Sequence, residues 1–144
     1  MKVLPWLTLT AVLLGGCATY PDAVRVSEGT SLVSYEAAIK AGISQGTARW
    51  SGVIAKIENN AKETRLEIVY FPAKSNGRPM VSDTTAGRFV AYVPSFLDPM
   101  VYQQGKQITV LGPLAQPEAG MVDKLQYVYP VISHATVYLW PKQQ

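Results

Sequence analysis

Apolar and polar side chains alternate along much of the last two thirds of the chain, and this alternation limits the possible folds more than any other feature. In one segment, for example, Leu66 and Ile68 alternate with Arg65 and Glu67. Successive side chains of a β-strand point to opposite faces of a sheet, so a period of two indicates half-buried strands. The alternation and the turn residues between its segments predict strands over 48–58, 64–71, 88–93, 107–111, 125–132 and 135–140.

The first predicted strand contains a break in this alternation. Trp50 and Val53 are both apolar, but an odd number of positions separates them, so they cannot share one face of a regular strand. A bulge at Gly52 would restore the register. A long, bulged first strand is what a small closed barrel needs to turn its corner.

Two short helices are predicted outside the strands. Ser34 is a suitable N-cap and Gly42 a suitable stop for a helix over 34–41. Asp98-Pro99 has the pattern of a second helix start, with an N-cap followed by proline at the first helical position. This second helix is expected to stop at Gly105.

The order of these elements is that of the OB-fold, which has five strands in a partly open barrel. We therefore predict a mainly β fold: a small antiparallel OB-fold-like barrel of five or six strands, with a short helix before strand four and an N-terminal helical segment. A generic six-stranded antiparallel barrel is the alternative. Both architectures predict a core that contains Trp50, Ile57, Leu66, Ile68, Phe89, Ile108 and Val110.

The N-terminal residues have the pattern of a removable export signal. Lys2 provides a positive start, and the apolar run 3–14 is too short to span a bilayer but typical of a signal peptide. A buried N-terminal helix is the alternative, which Pro5 and Gly15-Gly16 disfavour. The stretch Leu14-Gly15-Gly16-Cys17 resembles the lipobox of bacterial lipoproteins, whose cysteine is lipidated and becomes the first residue after cleavage.

This resemblance implies three regions: a signal peptide over 1–16, a lipid anchor and tether over 17–33, and a barrel domain over 34–144. The residue after the cysteine is Ala18. An aspartate at that position typically signals retention in the inner membrane, so the resemblance implies transport to the outer membrane. The expected location is the periplasmic face of that membrane, with the lipid on Cys17 as the membrane contact.

Five short motifs occur along the barrel region: 46–52 (GTARWSG), 66–68 (LEI), 87–89 (GRF), 96–99 (FLDP) and 110–112 (VLG). In this order they are similar to those of the Slp family, the starvation-inducible outer-membrane lipoproteins of Gram-negative bacteria. The family often has Gly-Gly where this chain has Ser51-Gly52. The resemblance implies a non-enzymatic envelope lipoprotein associated with stress or starvation, and it brings no catalytic residues and no cofactor.

The charged residues indicate neither nucleic-acid binding nor a catalytic site. The 13 Lys and Arg side chains are spread singly among 10 acidic ones, whereas nucleic-acid binding concentrates positive charge on one face. The single histidine, His134, and the single cysteine, Cys17, cannot build a usual zinc site. We therefore predict no catalytic residue, metal or cofactor. The alternative is an envelope hydrolase or glycan-acting enzyme with an acidic site that the sequence does not identify.

Binding is the function that these observations leave. Loops over 59–63 and 113–124 would flank one face of the barrel, where arginine and aromatic side chains suit anionic sugars or lipid head groups. Ordinary solvent-facing strand positions are the alternative interpretation. The expected partners are an envelope protein, a glycan or a lipopolysaccharide component, and the oligomeric state is left open. The candidate binding face comprises Arg49, Arg65, Arg88 and Tyr127.

Overall fold

The computed structural model of the protein describes Val3, Pro5 and residues 19–143. Cys17 and the rest of the predicted lipobox lie outside the described residues. The described chain is mainly β, as predicted. Its elements are a 3-10 helix (Asp22–Val24), α1 (Tyr35–Ala41), β1 (Thr47–Asn59), β2 (Thr64–Phe71), β3 (Arg88–Val93), β4 (Gln107–Val122), β5 (Leu125–Ile132) and β6 (Thr136–Leu139).

The sheet closes on itself because β1 pairs with β2 along one edge and with β4 along the other. Around the ring the order is β1, β2, β3, β5 and β4, and β6 adds to β4 beyond the end of β5. The predicted mainly β fold, with a sheet of five or six strands that closes into a ring, is confirmed. The prediction of an entirely antiparallel barrel is wrong in one place, because β5 returns beside β3 in the same direction and pairs with it in parallel through Val131 and Ile132.

Strand β4 is much longer than the predicted segment 107–111, and most of the predicted loop over 113–124 belongs to it. The prolines that suggested a loop lie where the ladder is irregular. The register between β4 and β5 shifts between Ala115 and Glu118, which places Pro117 in a bulge opposite Pro130. Because proline has no N–H to donate, this bulge accommodates both residues without lost ladder bonds.

The bulge in β1 lies at Ala55, not at the predicted Gly52. The register shifts between Ile54 and Lys56, so Trp50 and Ile54 face the core while Val53 is only half-buried. Gly52 has a different purpose. A Cβ there would overlap the carbonyl oxygen of Val69 on β2, so the close approach of the two strands requires glycine.

Helix α1 forms as its sequence predicts. The Ser34 side chain accepts a hydrogen bond from the backbone N–H of Ala37, and Gly42 ends the helix in the left-handed conformation with φ 63°. The helix closes one mouth of the barrel with Tyr35, which stacks on Tyr70 at a centroid distance of 4.0 Å. Docking of this aromatic side chain explains how a helix of 7 residues persists.

The predicted second helix, before β4, is not formed. Asp98 does cap the turn, since its side chain accepts from Met100 N–H and its carbonyl accepts from Val101 and Tyr102. The chain does not continue as a helix because Gly105 N–H bonds to the carbonyl of Ile54 on β1. The segment therefore consists of the capped turn at Asp98 and a second turn, closed by the bond from Lys106 N–H to the Gln103 carbonyl, before β4 begins.

The barrel interior contains the predicted core, with one exception. Six of the seven predicted side chains are buried, and Ile57 is half-buried at the curved end of β1. The inward aromatic residues pack edge to face, with ring centroids 5.2 Å apart between Trp50 and each of Tyr35 and Phe89. This arrangement gives the interior a defined packing geometry.

The folded domain begins earlier than the predicted boundary at residue 34. Val24 is fully buried, and Leu32 forms a parallel bridge with Thr47 at the start of β1. The indole N–H of Trp50 donates to the Val33 carbonyl at 3.0 Å. Much of the segment assigned to a tether is therefore packed against the barrel.

Candidate functional site

The structure brings three of the four predicted binding residues together. Arg65 on β2, Arg88 on β3 and Tyr127 on β5 lie on one outer face of the barrel. Arg49 lies elsewhere, at the start of β1, where it donates to the Val24 carbonyl at 3.2 Å. Its guanidinium lies 3.4 Å from the ring centroid of Tyr20, so it secures the N-terminal segment to the barrel.

Arg65 and Arg88, the two arginines that do lie on this face, are neutralised by acidic side chains of the same protein. Arg65 donates to Glu118 at 2.5 and 2.9 Å and lies 3.7 Å from Glu67. Arg88 donates to the other carboxylate oxygen of Glu67 at 2.7 Å. The Tyr92 hydroxyl also donates to Glu118. We call Arg65, Glu67, Arg88 and Glu118 the ion-pair network; its charges sum to zero.

The end of the β4–β5 hairpin covers this network from outside. The Tyr127 hydroxyl accepts the backbone N–H of Arg88 at 2.8 Å. Tyr129 is buried, with its ring centroid 4.8 Å from that of Tyr127, and packs with Val90 and Val131 in a second small core. Strands two and three of OB-folds commonly bind ligands on this outer face. In this protein much of that face is internal.

Titration properties agree with a structural network. Burial, assisted by the nearby Glu67 carboxylate, raises the pKa of Tyr129 to about 12. Burial and the bond to Glu118 also raise the pKa of Tyr92. Burial alone would lower the pKa of Arg65, but the hydrogen bonds and charge interactions with Glu118 and Tyr92 together outweigh it, and the pKa is raised. At neutral pH the phenols stay protonated and the guanidinium stays charged.

His134 occupies the corner between β5 and β6 with a φ of 45°. It is exposed beside a groove of about 440 Å³ that Lys62, Glu63 and Glu118 also line. Its Nδ1 lies 3.4 Å from the hydroxyl of the adjacent Ser133. Within 19–143, no three His, Cys, Asp or Glu side chains converge in a metal-binding arrangement, and the helices described there are too short to cross a membrane.

A second groove, of about 330 Å³, carries positive charge that no acidic side chain among the described residues neutralises. Its lining includes the cations Arg78, Lys106 and Lys142 together with Trp140 and Gln107, and no lining residue is acidic. We call this surface the basic groove. None of its three cations lies within 4 Å of a carboxylate of the described residues, in contrast to the arginines of the ion-pair network.

The sequence contained a partial signal for the basic groove. The segments 103–107 and 140–143 are rich in glutamine and lysine and contain no acid. They are distant in sequence and come together because β6 pairs with the first half of β4. Arg78 joins them from the loop between β2 and β3.

The comparisons with known proteins decide the family. The model of the outer membrane lipoprotein Slp family matches residues 14–144, from the first residue of the lipobox onward. This chain belongs to the Slp family. The family resemblance inferred from the motifs is thereby confirmed.

Relatives of this Slp-family protein occur in two bacteria. Lipoprotein YeaY of Escherichia coli K12 is 33% identical over 133 residues, which cover 90% of this chain and 68% of the relative. Outer membrane protein Slp of the same strain is 25% identical over 131 residues, or 89% and 69% of the two chains. A protein of Haemophilus influenzae is 28% identical over 142 residues, or 96% and 76%. No solved structure matches the chain significantly.

Proposed function

We propose that this Slp-family protein is a lipid-anchored module of the outer membrane that faces the periplasm and acts by binding. Cleavage before Cys17 and acylation of its thiol would leave a short spacer before the packed domain. More than one acyl chain gives the stable attachment that a single chain does not. The family match supports this anchor because it begins at Leu14, within the lipobox itself.

The observation that supports binding over catalysis is the contrast between the two charged surfaces. The ion-pair network contains Glu67, which is the only buried charged residue among those described, and each of its four members already has a charged partner inside the protein. Among residues 19–143, the three cations of the basic groove have no such partners. Unneutralised charge in a concave site is suited to recognition of an anionic partner.

Membrane fractionation with a matched variant tests the anchor. The native protein should sediment with outer membranes and resist extraction by high salt, whereas Cys17→Ala should be released as soluble protein. Protease added to intact cells should leave the native protein uncut, and digestion should follow once the outer membrane is permeabilised. A Cys17→Ala protein that remains firmly membrane-bound would refute the lipid anchor.

Crosslinking in intact envelopes, followed by purification of the acylated protein, tests the binding role. A stoichiometric envelope protein, glycan or lipopolysaccharide component is the expected result. Hydrolysis of peptidoglycan or another envelope polymer by the purified protein, lost on mutation of His134 or Glu63, would instead favour the enzymatic alternative.

A further inference from the structure

We propose that the basic groove binds the phosphate groups of anionic phospholipids in the membrane to which the anchor attaches the protein. This inference rests on the proposed function, because the anchor determines which membrane surface the groove meets. It assigns a ligand class to a site that the predicted binding face does not include. Three observations support it: the fixed geometry of the groove, the short chain length between Cys17 and Tyr20, and an apolar turn beside the groove.

The walls of the groove are held in place before any ligand arrives. The Arg78 guanidinium donates to Gln107 Oε1 at 2.9 Å and to the Pro141 carbonyl at 2.8 Å, and lies 5.6 Å from the ring centroid of Trp140. Arginine has five N–H donors, so three remain after these two bonds. A phosphate oxygen suits such donors, because guanidinium binds phosphate through charge-assisted hydrogen bonds.

Trp140 and Lys106, which also line the groove, are held in place as well. The indole N–H of Trp140 donates to Thr109 Oγ1 at 2.9 Å, and that hydroxyl in turn donates to the Gly77 carbonyl at 2.6 Å. The Lys106 carbonyl accepts from the Ile54 N–H of β1 at 2.9 Å. These bonds hold the indole and the backbone of Lys106 in position, which lowers the entropic cost of binding an anion.

The position of the N-terminal segment places the groove near the membrane. The ring of Tyr20 lies against Gly77, which precedes Arg78 in the chain. Only three residue steps separate Cys17 from Tyr20, and an extended chain of that length spans at most about 11 Å. An anchor at Cys17 would therefore hold this side of the barrel close to the headgroup layer.

An exposed apolar turn lies next to the basic groove. Met100 is 76% exposed, and Phe96 and Val101 are also exposed. The Gln103 side chain, which lines the groove, donates to the Met100 carbonyl at 2.8 Å. Cations beside exposed apolar side chains match the charged and apolar layers of a bilayer surface.

Fluorescence of the groove tryptophan provides the test. The mature sequence after Cys17 contains Trp50, which is buried in the barrel, and Trp140, which lines the groove. The acylated protein is reconstituted in phosphatidylcholine vesicles with or without phosphatidylglycerol, both containing a lipid spin-labelled at its headgroup. Quenching of Trp140 should be strong with phosphatidylglycerol and weak without it, and Trp140→Phe should abolish the quenched signal.

Two charge variants separate the groove from general attraction. Each surface cation near an anionic membrane strengthens binding about fivefold, so Lys106→Gln with Lys142→Gln should lower the docked-to-undocked ratio on the order of 25-fold. Neither lysine side chain makes a described hydrogen bond, so folding should be unaffected. Lys62→Gln with Lys124→Gln removes the same charge from other surfaces and should retain quenching.

The remaining outcomes each refute a separate statement. Equal loss of quenching in both double variants, or no quenching in the native protein, would overturn the groove as the lipid site. Saturation of the groove by inorganic phosphate, with no phosphatidylglycerol-dependent quenching, would overturn the lipid as the ligand. In either case flotation of the acylated protein with the vesicles would leave the anchor intact, whereas its failure to float would refute the proposed function itself.

Discussion

The ion-pair network allows a sharp prediction about stability. Glu67→Gln keeps the shape of the side chain but removes the charge that lies 2.7 Å from Arg88 and 3.7 Å from Arg65. The Glu67 side chain is only 9% exposed, so water cannot replace the lost carboxylate. Arg65 retains its second partner, Glu118, which limits the damage.

The magnitude follows from burial. Removal of one partner from a fully buried pair costs about 3–5 kcal/mol. Arg88 is nearly a third exposed, and solvent screens its charge, so the expected loss is about 2–3 kcal/mol. For a domain of this size each kcal/mol shifts the melting temperature by about 4 °C, so Tm should fall by about 10 °C.

Urea unfolding of the full chain, followed by circular dichroism and by fluorescence of the buried Trp50, measures this loss. Glu58→Gln is the matched control, because it breaks an exposed ion pair. The side chains of Lys56 and Glu58 in this pair are 60% and 48% exposed, respectively. An exposed pair of this kind contributes less than about 1 kcal/mol. Equal losses in the two variants, at unchanged m-values, would refute the argument that burial makes the network important.

Three further predictions concern the barrel. In an alkaline absorbance titration, four of the eight tyrosines should ionise above the pH range in which a tyrosine ordinarily ionises, because burial raises the pKa of Tyr35, Tyr70, Tyr92 and Tyr129. Ionisation of all tyrosines of the native protein in one transition near the ordinary pKa would contradict this. Since the folded-state pKa values are raised, their stabilising contribution is complete below the unfolded pKa and declines as pH rises through the folded values, so urea midpoints should fall in strong alkali. Gly52→Ala should destabilise the barrel by about 1–3 kcal/mol, because the added Cβ overlaps the Val69 carbonyl; an unchanged urea midpoint would show that β1 and β2 can separate at little cost. Ser34→Ala should cost about 1 kcal/mol through loss of the α1 cap, whereas Ser34→Asn should retain most of the stability.

Strands with regular alternation could be predicted from the sequence in full. The bounds of β2, β3 and β5 agree with the predicted segments because turn residues or prolines flank each run. The Asn60 side chain shows why the first turn was recognisable. It accepts from Lys62 N–H and Glu63 N–H within the turn, an interaction that depends on local sequence alone.

Features that depend on distant partners could not be predicted. Pro113 and Pro117 indicated a loop, but pairing with β1 extends β4 through Pro113 and pairing with β5 extends it past Pro117, where the irregular register lies opposite Pro130. Tertiary pairing here outweighs local propensity. The bulge in β1 was misplaced for a related reason, since Gly52 is required by the approach of β2 and not by the bulge.

The candidate binding face shows the same limit for charge. Arg65 and Glu118 are 53 positions apart, so no local pattern indicated that they neutralise each other. The charged side chains of the face that the sequence favoured are therefore largely paired within the protein. The basic groove, in contrast, was not predicted from the sequence. Its segments are separated in the chain and converge only when β6 pairs with β4.

Mass spectrometry of the protein purified from outer membranes examines the lipid anchor itself, on which both the location of the protein and the orientation of the groove depend. The mature chain is expected to begin at Cys17, with a thioether-linked diacylglycerol on its N-terminal peptide. Digestion should release this peptide in acylated form only. A mature chain that begins elsewhere, or that contains an unmodified Cys17 thiol, would contradict the account.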